Sequence, residues 1–368
     1  MKILVTGSDG FVAKNLILQL GNFKNLDILK LNKKNYSTLN SKIKEANCIV
    51  HLAGTNRSKN KTEFINNNHL LTKEIVKILK KNNLKTPILY SSTIRYLDNN
   101  IYGKTKLKAE DILKKFSKEN NSYIGIFRFP NIFGKWSKPH YNSVISTFCY
   151  NILNNKKINL YNNKEKIKLI YIDDVINLLI KNIFKKKSKK NYEIVKIINY
   201  KNILLSKIKD KLFEFNNSNQ SIYTPNLNND FEKNLYSTFI SYASKKQISS
   251  KIKINENENG NFIELFKNKN FGQISVFTTP PNKVRGMHYH NTKVEKFFIV
   301  QGKAEILYFN SINNKKYIFK SKNLEKKIIT TLPGWIHTIK NIGKNNLIII
   351  VWSNEIFNIK KPDTYVRI

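Results

Sequence analysis

The chain has 368 residues and a mass of 43.1 kDa, a length that predicts two or three domains. Its 40% hydrophobic and 12% aromatic content is enough to fill real cores and excludes global disorder. Lys+Arg is 65 against Asp+Glu 25, a formal charge of +40, but only five are Arg and the other 60 are Lys, spread along the whole chain. A dedicated nucleic-acid binder concentrates Arg and Lys on one face with aromatics interleaved. Here the bias is global, so we expect a solvated lysine-rich surface that attracts anionic substrates, and no nucleic-acid partner.

In chain order, short apolar runs alternate with amphipathic stretches. Lys2–Thr6, Leu26–Leu31, Cys48–Leu52, Pro87–Ser91 and Tyr123–Arg128 read as strands. Phe11–Leu20, Thr62–Lys81 and Tyr102–Phe116 read as helices, and Leu169–Ile172 with Asp173–Phe184 adds one more strand and helix. This alternation predicts a Rossmann-type, doubly wound parallel sheet with helices on both faces. Asn216–Asn219 and Pro225-Asn226 read as loop. Short strands follow at Gly272–Thr278, Lys296–Val300, Lys303–Asn310, Tyr317–Lys320, Lys326–Thr330 and Leu347–Trp352, the pattern of a small all-β sandwich or barrel. The expected domains are residues 1–244 and 245–368.

Cys48 and Cys149 sit in apolar stretches and read as core residues rather than a disulfide. No apolar run approaches the roughly 18 residues of a membrane span, and Met1–Gly7 carries no signal-peptide pattern. A soluble cytoplasmic protein with no membrane partner is the expectation.

Gly7-Ser8-Asp9-Gly10-Phe11-Val12-Ala13 joins the first strand to the first helix. Glycine permits the sharp turn and the close approach of a pyrophosphate, and the helix N-terminus offers free N–H groups. After the second strand comes Asn32-Lys33-Lys34, with no acid to take the ribose hydroxyls of NAD. The site therefore favours NADPH, whose 2′-phosphate would meet Lys33 or Lys34. Tyr102 and Lys106 are four apart and share a helix face. A lysine ammonium beside a phenol should lower the phenol's pKa, so the tyrosine can trade a proton with a substrate oxygen as hydride moves. Ser91-Ser92-Thr93 closes a strand and supplies a hydroxyl for the same oxygen.

This constellation resembles the extended short-chain dehydrogenase/reductase family, which acts on nucleotide-linked sugars. The resemblance implies a catalytic triad of Thr93, Tyr102 and Lys106, although the segment from Thr93 to Tyr102 is shorter than in most of the family. His51-Leu52-Ala53-Gly54 looks like its cofactor-lining loop, and Asn68 joins the implied cofactor contacts. Arg128-Phe129-Pro130-Asn131 looks like its Arg-x-x-Asn element, which implies substrate contacts at Arg128 and Asn131, with Asn142 and Ser143 beside them. Tyr171–Val175 looks like its late strand-to-helix junction.

In the last third, Gly286-Met287-His288-Tyr289-His290 precedes Glu295 and Gly302, and Pro333-Gly334-Trp335-Ile336-His337 precedes Asn341. Residues two apart on a strand share a face, so His288 and His290 can converge. Three imidazoles and a carboxylate (His288, His290, Glu295 and His337) suit a divalent ion such as Zn²⁺. The order of these motifs resembles the cupin superfamily, a jelly-roll fold. Asn259–Glu264 looks like the preceding motif of sugar-nucleotide epimerase cupins, with Asn259 where relatives usually carry Arg. A reductase of this kind fused to a metal cupin resembles the bifunctional enzymes of capsular-polysaccharide synthesis. That resemblance implies a homodimer acting on a UDP-linked 4-keto-6-deoxy-N-acetylhexosamine: the cupin inverts carbon 3, then the reductase uses NADPH at carbon 4. A simple reductase or 4-epimerase with a non-catalytic cupin is the alternative.

Overall fold

The computed structural model describes residues 1–98, 100–160, 162, 164–185, 191–219, 221–325 and 327–366. The chain forms two compact units. One holds Met1–Phe213 and Asn229–Ala243; the other holds Glu214–Asn228 and Ser244–Ile368.

In the first unit β1 (Lys2–Thr6) turns into α1 (Phe11–Leu20), followed by β2 (Asp27–Leu31), α2 (Leu39–Glu45) and β3 (Cys48–His51). Next come α3 (Lys61–Phe64), a π-helical segment Ile65–Leu70, α4 (Leu71–Lys81), β4 (Ile88–Thr93), α5 (Ile101–Asn120) and β5 (Ile124–Phe129). The chain continues through β6 (Asn131–Phe133), α6 (Val144–Leu153), β7 (Lys166–Tyr171), α7 (Ile172–Ile183), β8 (Tyr192–Ile194), β9 (Lys201–Leu204), α8 (Leu205–Asn219), whose residues from Glu214 onward are counted with the second unit, and α9 (Asp230–Ile240). The main sheet has the order β2-β1-β3-β4-β5-β8, with every pairing parallel. Strand order reverses between β1 and β3, so a crevice opens beyond their carboxyl ends, where open α/β sheets bind ligands.

Alternation along each strand builds both faces. Ile3 and Val5 pack with Leu16 and Leu20 of α1 and with Val175, Ile176 and Leu179 of α7. Leu4 and Ile49 pack oppositely with Ile43 of α2, Ile75 and Leu79 of α4, and Leu113 and Phe116 of α5. The helix expected over Thr62–Lys81 is present but not continuous: a wide π-helical turn interrupts it at Ile65–Leu70. There the Asn68 side chain is buried and binds both backbone groups of Thr55, which draws the turn inward. Asn216–Asn219, expected as loop, instead closes α8. Helix α6 (VISTFCYNIL) carries β-branched and aromatic residues that hide its helical nature, and tertiary burial of Ile145, Phe148, Cys149 and Ile152 overrides them.

The second unit is all-β. Its strands are β10 (Ile254–Asn257), β11 (Gly260–Asn268), β12 (Gly272–Thr279), β13 (Val284–Tyr289), β14 (Glu295–Gln301) and β15 (Lys303–Phe309). They are followed by β16 (Lys316–Lys322), β17 (Ile329–Thr330), β18 (Ile336–Asn341), β19 (Leu347–Ser353) and β20 (Tyr365–Val366). Two antiparallel sheets, β10-β11-β12-β19-β14-β17 and β16-β15-β18-β13-β20, enclose one core that includes Phe297, Ile299, Ile306, Ile339 and Ile349. Of the strand expected over Lys326–Thr330, Lys326 lies outside the described residues and only Ile329–Thr330 pairs. β10 and β13 escape apolar patterning because β10 is exposed throughout and β13 carries Arg285 and His288.

Candidate active sites

A cleft of about 460 Å³ opens in the first unit. It is lined by Gly7, Asp9, Gly10, Phe11 and Val12 from the β1–α1 turn and by Leu52 and Gly54 beyond β3. Thr93, Tyr102, Lys106, Asn131, Asn142 and Ser143 complete the expected residues on its wall. Gly7 has φ +68°, and a Cβ there would stand 2.7 Å from the Ala53 Cα, so the turn and the Leu52–Gly54 loop approach as only glycine allows. Ser8 is buried, with its N–H on Leu31 O at 3.0 Å. Asn32 donates to Asp9 Oδ1 at 3.3 Å, while its own Oδ1 accepts the Lys34 and Asn35 N–H groups. Lys33 is exposed.

Asn100 caps α5 by accepting the Gly103 N–H at 2.8 Å. A Cβ on Gly103 would collide with the Arg95 carbonyl, so glycine lets the helix start close against the turn that follows Thr93. The buried Lys106 donates to Ser91 O at 2.9 Å and lies 4.8 Å from the Tyr90 ring centroid. Burial pushes its pKa down to about 8, against an upward pull from the Glu110 carboxylate. For Tyr102 the structure reverses the sign expected from the sequence. Burial raises its pKa above 10, and the opposing pulls come from the Thr93 hydroxyl and the Arg95 charge. Tyr102 is therefore a neutral phenol near pH 7, poised to give a proton rather than to take one.

Asn68 lies beneath this wall: its Nδ2 donates to Thr55 O at 2.9 Å and to Thr105 Oγ1 at 3.1 Å. A Cβ on Gly54 would sit 2.6 Å from Asn68 Oδ1 and 3.0 Å from Lys106 Nζ, so the loop, the π-helical turn and the lysine pack tightly together.

Arg128 is not among the residues lining the cleft. Its Nε and Nη2 bind Glu110 Oε1 and Oε2 at 3.0 and 2.7 Å, and its guanidinium covers the Tyr96 ring at 3.7 Å. It borders a separate hollow with Ile94, Lys168 and Tyr200. Glu110 is completely buried and also accepts from Ser92 Oγ at 2.6 Å. Burial opposes its ionisation, but the Arg128 and Ser92 hydrogen bonds hold its pKa below the usual carboxylate value. Sequence reasoning passed over Glu110, although it lies one turn beyond Lys106 on the same helix face.

In the second unit, a β-bulge between Gly286 and His288 sets Met287 at φ +63° and places His288 opposite His337. His288, His290, Glu295 and His337 each bring a ligand atom within 4.8 Å of the others. His290 Nε2 and His337 Nε2 stand 3.4 and 3.6 Å from Glu295 Oε2. Burial opposes ionisation of Glu295, but the two imidazoles outweigh it and hold its pKa well below the carboxylate range. Burial and the neighbouring histidines push His288 down to about 4, so its imidazole is neutral and able to ligate. His290 Nε2 is buried without a hydrogen-bond partner, which fits a donor atom meant for an ion. Asn341 serves the scaffold: its Nδ2 binds Thr279 O at 2.8 Å and Asn345 O at 2.9 Å.

Residues 3–197, more than half of the chain, match the model of the NAD dependent epimerase/dehydratase family. The chain belongs to that family. Residues 255–365 of this epimerase/dehydratase chain match a polysaccharide biosynthesis C-terminal domain. Over 366 residues (99% of this chain and 98% of the relative) it is 34% identical to the UDP-2-acetamido-2,6-beta-L-arabino-hexul-4-ose reductase of Pseudomonas aeruginosa. The capsular polysaccharide assembling protein CapF from Staphylococcus aureus covers 100% of it at 35% identity and a TM-score of 0.91, with 99% of that chain aligned. A UDP-glucuronic acid 4-epimerase from Bacillus cereus shares the fold over 68% of this chain and 100% of its own, at 16% identity and a TM-score of 0.56. Among the described residues no helix is long and apolar enough to cross a membrane.

Proposed function

We propose that this family member is a bifunctional nucleotide-sugar enzyme of capsule or O-antigen precursor synthesis. Its substrate is a UDP-2-acetamido-2,6-dideoxy-4-hexulose. The second unit, read as a metal cupin, inverts carbon 3. The first unit then reduces the carbon-4 ketone with NADPH to give UDP-2-acetamido-2,6-dideoxy-L-talose, a precursor of N-acetyl-L-fucosamine. A cytoplasmic homodimer belongs to the same reading. The observation that carries it is the joint presence of the Thr93–Tyr102–Lys106 wall beside the glycine turn and the His288–His290–Glu295–His337 cluster, one in each unit. End-to-end likeness to a hexul-4-ose reductase and to a capsular assembling protein supports it.

Bound NADPH supplies the hydride, and a divalent ion such as Zn²⁺ supplies Lewis acidity toward the ketone oxygen. The chain's own residues do the rest. Gly7–Val12 receives the pyrophosphate at the start of α1, and Leu52–Gly54 backs the cofactor. Thr93 orients the ketone oxygen, and Tyr102 hands its proton to that oxygen as the alcohol forms. Lys106, held in place by Ser91 O, brings a positive charge to the same cleft wall. Asn131, Asn142 and Ser143 orient the nucleotide sugar. His288, His290, Glu295 and His337 hold the ion.

The test is incubation of the UDP-keto-sugar with enzyme and NADPH in D₂O, with NMR of the product. Deuterium at carbon 3 together with reduction at carbon 4 is the expected result. Reduction with no deuterium at carbon 3 would leave a simple reductase.

A further inference from the structure

The His290 ring nitrogen Nδ1 lies 2.6 Å from the main-chain oxygen of Asp363, 73 residues further along the chain. A carbonyl only accepts, so Nδ1 carries the proton and Nε2 is left bare. That bare Nε2 is the buried atom without a hydrogen-bond partner, 3.4 Å from Glu295 Oε2.

The Asp363 carbonyl is aimed there by its own carboxylate. Oδ1 accepts the Asn291 N–H at 3.0 Å. Oδ2 accepts the Thr292 N–H at 2.8 Å, the Thr292 hydroxyl at 3.0 Å and the Lys293 N–H at 2.7 Å. Lys293 Nζ in turn binds Pro362 O at 3.1 Å and Thr364 Oγ1 at 2.8 Å. Directly beyond, Tyr365 and Val366 pair with Tyr289 and His288. Segment 362–366 thus touches every residue from His288 to Lys293. Asp363 adopts φ +40°, a backbone conformation that a non-glycine residue keeps only where its surroundings impose it.

We propose that Asp363 is a positioning residue for the metal site: its carboxylate pins the 291–293 loop, and its carbonyl fixes His290 as the tautomer whose Nε2 is free to ligate. The proposal rests on the reading of His288, His290, Glu295 and His337 as metal ligands. Outer partners of this kind typically contribute 10–100-fold to metal affinity.

The experiment titrates metal-free full-length protein with Zn²⁺ against a chromogenic chelator, for the wild type, Asp363→Ala and Asp363→Asn. Asp363→Ala should raise the Kd for Zn²⁺ by about 10–100-fold. Asp363→Asn, which keeps one acceptor oxygen, should fall between. Nitrogen-15 NMR of the histidines in the metal-free proteins reads the tautomer directly. His290 should be protonated at Nδ1 in the wild type and mixed in Asp363→Ala, a change that mere loss of stability would not produce in a protein that remains folded. A Zn²⁺ Kd unchanged in the folded alanine variant, or a wild-type His290 protonated at Nε2, would overturn the proposal while leaving the metal reading intact. A wild type that binds no Zn²⁺ would overturn both.

Discussion

Tyr102 shows how burial decides the direction of a proton. The Tyr-x-x-x-Lys spacing suggests a lowered phenol pKa; in the cleft wall desolvation of the phenolate outweighs the opposing pulls of the Thr93 hydroxyl and the Arg95 charge and keeps the phenol neutral. A neutral phenol is what ketone reduction needs. Tyr102→Phe removes that acid and should slow NADPH-dependent reduction by about 10²–10⁴-fold, read by NADPH absorbance in a single turnover. An undiminished rate would take Tyr102 out of the chemistry. Lys106 adds a pH dependence. It faces Tyr90 from β4, and its charge is felt by His51 at the end of β3; along α5 it is flanked by Tyr102 and Glu110. Below about 8 Lys106 is charged, and above it the proton is lost, so reduction should fall as pH rises through about 8. The Glu110 carboxylate holds that value up. Glu110→Gln should therefore move the alkaline limb of kcat to lower pH; a limb that stays in place would show that Lys106 does not set it.

At the scale of elements, tight turns and buried polar chains hold the cleft together. Gly7→Ala forces an alanine to φ +68° with its Cβ against the Ala53 backbone. The strain should destabilise the protein by about 1–3 kcal/mol in urea unfolding and weaken NADPH binding measured by fluorescence. A variant with wild-type stability and affinity would mean that the turn tolerates a side chain. His51 ties three elements: Nδ1 meets Thr6 Oγ1 at 2.7 Å, and Nε2 meets Thr72 Oγ1 at 3.0 Å. Thr6 Oγ1 in turn accepts the Ala53 N–H, so the chain ends on the cofactor loop. Burial, reinforced by the Lys106 charge, lowers the His51 pKa to about 3. The folded state therefore needs the neutral ring, whereas the unfolded chain takes up a proton near 6.5. Its contribution to stability is complete above about 6.5 and declines as pH falls toward 3. Replacing His51 with Gln should flatten this part of the stability profile in pH-dependent urea melts; an equally steep profile would assign the acid sensitivity to other groups.

On the proposed function, the whole molecule joins two chemistries whose order is set by the substrate. A proton at carbon 3 is acidic only while carbon 4 is a ketone, and reduction removes the ketone. With NADPH omitted, the enzyme should still exchange the carbon-3 proton with D₂O, and a His288→Ala/His290→Ala variant should not. If that double variant formed the talo-configured product at the wild-type rate, or if exchange required NADPH, the division of labour would be wrong. The lysine-rich composition bears on the same scale: a net charge of +40 raises the local concentration of an anionic nucleotide sugar, an advantage that falls with salt.

What the sequence determined by itself is local. Alternating apolar runs specify the parallel sheet and its helices, because period 2 and period 3.6 are properties of the chain's own geometry. Gly7 and Gly10 mark a turn because backbone freedom belongs to the residue, and the spacing of His288 and His290 follows from the strand repeat. The π-helical turn at Ile65–Leu70 was not legible, since Asn68 is drawn inward by Thr55, which reaches it only in the folded chain. Only the tertiary structure turned Arg128 toward Glu110, 18 residues away, and raised the Tyr102 pKa where the Tyr-x-x-x-Lys spacing suggested a fall. The role of Asp363 was not legible for the same reason: its partners at His290–Lys293 lie some 70 residues earlier. Spacing places side chains on a face, but burial and distant partners exist only after folding, and these set the charge on Tyr102, Lys106 and His51 and the tautomer of His290.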